Sequence, residues 1–249
     1  MTPGWLLCGR FWVDEADGVR ELHAGLPWFL DDMRPQGFMG RTFAHTHPAL
    51  GLAADPRHWS ADDALKALAS AGLPAARTQV FFISNRLFLE SERFDRTAAG
   101  RIGMVSLQVY DAQYVGQEDN WAATAGRMEA RSLLRPQDAA HLRLLEAYGV
   151  LIANTDRHYG NISLLLDDDD WQLSPTYDML PMLYAPVGGE LVPRDFAARP
   201  LQPSAATLNQ WTQAKELAVT FWQTAAQDAR ISAGFRALAK DNLQTLRVF

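Results

Sequence analysis

"LIANTDRHYGNISLLLDDDDWQLSPTYDMLP" spans Leu151–Pro181. An apolar run stops at Asn154, Asp156 and His158, and then Asn161 follows. "NISLLL" and "WQLSP" read as two strands around the acidic tip Asp167–Asp170, which predicts a hairpin. A hairpin returns its two ends to the same side of a sheet. The spacing therefore predicts that Asn161 and Asp178 lie together, with Asp156 five residues before the asparagine and 22 before Asp178.

Phosphoryl transfer from a nucleotide needs a carboxylate to orient or deprotonate the accepting hydroxyl. It also needs hard oxygen ligands for a magnesium ion that bridges the phosphates. Protein kinases meet this with an aspartate, an asparagine five residues on, and a later aspartate beyond a strand pair. That order recurs here. Taken singly, each residue has a plainer reading. Asn154 and Asp156 suit the end of a helix, Tyr177-Asp178 a turn after Pro175, and His158 a loop contact to backbone. As an ordered set they point to a site. The four aspartates at the tip repel one another in solvent and are not read as metal ligands. His45 and His47 lack a third ligand at a recognisable spacing. The tryptophans are scattered and are assigned to the core.

Outward from this stretch, Trp121–Arg131 and Pro136–Ala153 read as helices, and the chain from Ala205 to its end is helical in pattern. Upstream, Thr78–Phe94 reads as a hairpin around Ser84-Asn85. Ser60–Gly72 reads as a short helix with a serine cap, and Trp5–Val13 as a strand. Gly25–Arg41 reads as loop and short helix, and His45–Trp59 as irregular. The expected organisation is α+β, with a reduced mixed lobe over 1–97, a larger helical lobe over 98–249 and a joint near Glu92–Arg96. With 48% hydrophobic residues the 249-residue chain can bury a sizeable core. A net charge of −6 argues against a surface built to bind nucleic acid. The lone Cys8 excludes an internal disulfide and a cysteine-rich zinc site. The absence of a signal-like start or a membrane-length apolar run leads to the expectation of a cytoplasmic protein. Only Lys66, Lys215 and Lys240 are lysines among 23 basic residues.

"LIANTDRHYGNIS…LSPTYDMLP" resembles the catalytic core of the HipA family of bacterial serine/threonine kinases, the toxins of HipBA-type toxin–antitoxin systems. "FLESERFDR" (Phe88–Arg96) resembles that family's hinge, and "GLPWFLDDMRPQGFMGR", "PMLYAP" and the C-terminal segment resemble its YjjJ branch. The resemblance covers nearly the whole chain. It implies a two-lobed HipA/protein-kinase-like fold that uses ATP and Mg²⁺, with a Ser/Thr protein substrate and an antitoxin-like DNA-binding partner. Neither membrane nor direct nucleic-acid binding is expected of the chain alone. By the same resemblance Asp156 is the catalytic base. His158, Tyr159, Gly160 and Asn161 line the phosphates, Asn161 and Asp178 hold the metal, and Tyr177 contacts nucleotide. Glu92 borders the adenine through its carbonyl and Phe94 by packing. The chain departs from the family in lacking a glycine-rich phosphate loop and a strand lysine before the hinge, as if by internal deletion. That loss implies a weak kinase, or one completed by another chain. The alternatives are an inactive pseudokinase that binds partners, and a lipid kinase like the phosphoinositide 3/4-kinases, which also use an Asp-Arg-His-x-x-Asn loop. Arg77 and Arg86 are the nearest cations that could replace the lysine.

Overall fold

The structure is a computed structural model that describes residues 11–14, 20–23, 56–83, 86–185 and 192–249. Gly25–Arg41, His45, His47, Cys8 and the Ser84-Asn85 turn lie outside the described residues. The strand expected over Trp5–Val13 is described only from Phe11. There β1 (Phe11–Asp14) pairs antiparallel with β2 (Arg20–His23).

Helix α1 runs Pro56–Ser70, so it starts four residues before the expected serine cap. Proline suits the first helical position because its missing N–H would be unpaired there. Ser60 is therefore interior, and Asp62 and Asp63 are buried mid-helix residues rather than first-turn acids. The upstream hairpin holds as expected: β3 (Thr78–Ile83) pairs antiparallel with β4 (Arg86–Ser91). A two-residue ladder, β5 (Arg96–Thr97) with β6 (Gly100–Arg101), follows.

The predicted Leu151–Pro181 hairpin is β8 (Ser163–Asp167) and β9 (Asp170–Leu173). The sequence pattern did not reveal a third strand, β7 (Met104–Ser106), which pairs antiparallel with β8. Three residues are too short for a readable alternation. The tip aspartates are exposed, with Asp168 in the left-handed region at φ 53°.

Among the described residues five α-helices follow α1, and the first and third of them touch this sheet. Ser106 caps α2 (Leu107–Tyr114) by accepting from the Val109 amide. Asn120 caps α3 (Trp121–Ala130) by accepting from the Ala123 amide at 2.9 Å. Helix α4 (Pro136–Leu151) is buried on most of its surface and packs against α3 and α5 (Trp211–Gln227). Ser232 caps α6 (Ala233–Val248), which packs on α5. The core joins Trp121, Leu145, Tyr148, Phe221 and Trp222 to Ala64, Leu65 and Leu68 of α1. Helix α1 thus shares one apolar core with the helical part of the chain, and the Tyr148 hydroxyl donates to the Ala64 carbonyl at 3.1 Å. Among the described residues no helix is long and apolar enough to cross a membrane.

Candidate functional site

The end of α4 sets the geometry of the loop that follows. Ala153 takes the left-handed conformation at φ 61°, and the Asn154 amide closes the helix on the Gly149 carbonyl at 2.8 Å. This turn buries Asn154. Its Oδ1 then accepts from the Asp156 amide at 2.9 Å, and its Nδ2 donates to Met179 Sδ at 3.3 Å. Asn154 therefore ties the Asp156 segment to the segment that carries Asp178. Asn161 closes the loop by donating from Nδ2 to the Asp156 carbonyl at 3.0 Å. With the amide nitrogen so used, its Oδ1 is the group able to ligate a hard cation.

His158 folds back over Gly160. The Gly160 amide donates to Nδ1 at 3.1 Å, which fixes Nδ1 as the acceptor and gives Nε2 the proton. Nε2 stands 4.0 Å from Asp156 Oδ2. A Cβ at Gly160 would sit 3.0 Å from the imidazole, so the bare glycine makes room for this ring.

Asp178 adopts φ 50°, a left-handed conformation that is uncommon outside glycine and is concentrated at functional sites. It keeps solvent contact, yet the surrounding protein pushes its carboxyl pKa up. The Asp156 charge raises it further, and His158 pulls the other way. Asp156 and His158 therefore both act on Asp178 across the space between the loop and the end of β9. Tyr177 lies between: its hydroxyl bonds Ser163 Oγ at 2.6 Å and donates to the Gly160 carbonyl at 3.1 Å.

Phe94 of the expected hinge and the segment leading into β3 reach the same region. The Ala76 amide donates to the Thr176 carbonyl at 2.8 Å, and Ala75 forms a parallel bridge with Thr176. The Glu92 amide donates to the Arg77 carbonyl at 2.9 Å. Phe94 is half-buried with its ring 5.8 Å from that of Tyr177. Glu92 is exposed, and its side chain faces exposed Arg77 at 3.6 Å, a contact of little energetic weight.

Tyr159 departs from its expected place. Its side chain is 2% exposed and turns inward, where the hydroxyl bonds Thr124 and Asp119. It cannot line a phosphate, and it anchors the loop instead. Three further anchors escaped the sequence reading. Trp121 Nε1 donates to the His158 carbonyl at 3.2 Å. Arg157 Nε donates to Glu146 Oε1 at 2.9 Å, and its NH1 meets the Asn154 carbonyl. Gly149 is the surface over which Arg157 lies, since a Cβ there would stand 2.5 Å from Arg157 Cδ. A glycine inside an apolar helix eight residues before that arginine was the signal available.

Asn161 and Asp178 offer hard oxygen donors that suit magnesium, and burial, followed by the Asp156 charge, raises the Asp178 pKa. Among the described residues no three His, Cys, Asp or Glu side chains group closely enough for an all-protein metal cage. This donor set fits an ion that arrives with phosphates. Lys66 is not a nearby substitute by its contact, since its Nζ is held by Asp62 at 2.6 Å. The Arg86 side chain lies outside the described residues.

Comparison with known proteins gives the family. Residues 2–76 match the YjjJ-like toxin middle domain, and residues 63–246 match the HipA-like C-terminal domain. Toxin YjjJ of Escherichia coli is 27% identical over 348 aligned positions that take in 96% of this chain and 78% of that protein. The alignment is far longer than the 249 residues here, so a long stretch of the relative has no counterpart in this chain. Putative kinase Y4mE of Sinorhizobium fredii is 27% identical over 67% of the chain and 40% of its own length. The fold is shared with Shewanella oneidensis HipA, solved with HipB and operator DNA, at TM-score 0.54, 13% identity, 77% of this chain and 55% of that one. It is also shared with the Helicobacter pylori proinflammatory kinase CtkA at TM-score 0.53, 12% identity, 78% of this chain and 81% of that one. An α+β kinase-like fold and a family match across most of the sequence lead to one conclusion: the chain belongs to the HipA family, in its YjjJ branch.

Proposed function

We propose that the chain is an ATP- and Mg²⁺-dependent serine/threonine phosphotransferase of toxin type, weak in isolation. The observation that carries this reading is the approach of His158 Nε2 to within 4.0 Å of Asp156 Oδ2, with Asn161 bonded to the Asp156 carbonyl and both Asp156 and His158 acting on Asp178, at one end of the β8–β9 hairpin. Asn161 Oδ1 and the Asp178 carboxylate would hold the magnesium, which offsets phosphate charge. Asp156 would take the proton of a substrate hydroxyl as its oxygen bonds the γ-phosphorus and the bridging bond to ADP breaks. His158 Nε2–H would orient Asp156 or meet a phosphate oxygen. Phe94 and Tyr177 would supply the apolar contact for a purine beside the Glu92 carbonyl. The reduced lobe over 1–97 and the helical lobe over 98–249 would bound that nucleotide.

Weakness follows from the missing cationic half. Removing one transition-state donor from an enzyme costs on the order of 10²–10³ in rate. A lost phosphate loop costs at least that unless Arg77 or a second chain substitutes. A protein partner like the HipB that accompanies the structural neighbour is consistent with this reading. The same missing half favours the inactive, partner-binding form as the second reading. Transfer of labelled γ-phosphate to the protein itself or to a generic substrate tests the first. Slow transfer that vanishes in Asp156→Ala supports it, and background in both proteins shifts the reading to the binding module.

A further inference from the structure

Asp62 and Asp63 stand side by side on α1 with 0% and 2% of their surface exposed. Adjacent buried carboxylates are costly unless cations and donors meet them. Arg230, in the connection between α5 and α6, reaches both, with NH1 3.0 Å from Asp62 and NH2 3.4 Å from Asp63. The same guanidinium holds Asp228 at 2.6 Å. Lys66 Nζ lies 2.6 Å from Asp62 Oδ2, and Thr78 of β3 donates to Asp62 Oδ1 at 2.8 Å. Among the described residues two cations thus face three carboxylates. The deficit falls on Asp63, whose Oδ2 is buried without any partner.

Among the described residues no other group facing Asp63 repairs this. Tyr148 of α4 gives its hydroxyl proton to the Ala64 carbonyl. Arg236 of α6 donates through NH1 to the carbonyls of Asp228, Ala229 and Ile231. We propose that Asp63 keeps its proton in the folded protein well above the ordinary carboxylate range, up to the approach of neutral pH, and that this proton completes the charge balance of a clasp fastening α1 and β3 to the α5–α6 connection. The clasp bears on the candidate site through the chain. Helix α1 leads into Ala75 and Ala76, which pair with Thr176 immediately before Tyr177 and Asp178.

The direction of titration agrees with the geometry. Burial, and then the Asp228 charge, push the Asp63 carboxyl up to about 7, with Arg230 opposing. At Asp228 burial works against ionisation, but the hydrogen bonds and charge of Arg230 outweigh it and lower the pKa. The proton therefore belongs to Asp63. A carboxyl raised on folding keeps its proton where the unfolded chain has released it. Stability from Asp63 is complete below about pH 4 and is lost as pH rises through about 7, the folding constant falling up to about tenfold per pH unit in that window.

The test is a carbon-13 NMR titration of side-chain carboxyls in the full chain, with Asp63→Asn identifying the signal. The expected midpoint for Asp63 is near 7, and Asp228→Asn moves it down by removing a repelling charge. In urea unfolding between pH 5 and 7, wild type loses folding constant relative to Asp63→Asn by up to about tenfold per pH unit. An Asp63 midpoint in the ordinary carboxylate range, or equal pH slopes in the two proteins, overturns the proposal. If Asp63→Asn does not fold, Asp228→Asn carries the test, and an unmoved midpoint overturns it.

Discussion

Gly149→Ala reports directly on how the loop after α4 is held. In an exposed helix interior this substitution stabilises by about 1 kcal/mol, because alanine lowers the entropy lost on helix formation. At Gly149 the new Cβ would meet Arg157 Cδ at 2.5 Å, Cγ at 3.3 Å and Nε at 3.5 Å. The arginine cannot swing aside cheaply, because its head is fixed by Glu146 and the Asn154 carbonyl. Both partners of the Arg157–Glu146 pair are mostly buried, at 20% and 10% side-chain exposure. A charge-assisted hydrogen bond of this kind contributes about 1.5–3 kcal/mol, and its loss exceeds the helix gain. The expected net effect is a destabilisation of about 0.5–2 kcal/mol. Urea unfolding of four proteins checks it: wild type, Gly149→Ala, Arg157→Ala and the double variant. In the Arg157→Ala background the obstruction is gone, so Gly149→Ala should stabilise. A stabilising Gly149→Ala in the wild-type background refutes the reasoning, because Arg157 would then not lie pinned across the helix.

Tyr177→Phe deletes the hydroxyl that bonds Ser163 and Gly160, and should lower unfolding free energy by about 1 kcal/mol; hydrogen exchange of the Gly160–Ser163 amides should rise with it. Acid unfolding should respond to Arg127. Its hydrogen bond to Asp119 is the main cause that lowers the Asp119 pKa to about 2, so this contribution is present above about pH 4 and is lost as pH falls toward 2. Arg127→Met should therefore move the acid-unfolding midpoint, followed by circular dichroism, to higher pH.

The ordered residues of Leu151–Pro181 were legible because their chemistry depends on spacing along the chain. Alternation around an acidic turn gave the hairpin, and the hairpin gave the meeting of Gly160 with Tyr177. Side-chain direction within the loop was not legible. Tyr159 sits between exposed His158 and the bare Gly160, and only its tertiary partners Asp119 and Thr124 explain why it turns in. The anchors Glu146 and Trp121 are distant in sequence from the residues they hold, so no local pattern marks them. The start of α1 was misplaced because Ser60 and two acids imitate a helix start. The burial of Asp62 and Asp63 against Arg230, 168 residues away from Asp62, is a property of the packed chain alone.

The central claim is that Asn161 and Asp178 hold a magnesium–nucleotide complex beside Asp156. Calorimetric titration of ATP with and without Mg²⁺, in wild type, Asp178→Ala and Asp156→Ala, tests it most directly. The account predicts magnesium-dependent binding in wild type, its loss in Asp178→Ala and its retention in Asp156→Ala, because Asp156 serves the hydroxyl rather than the metal. ATP binding that ignores magnesium, or that survives Asp178→Ala unchanged, would contradict it.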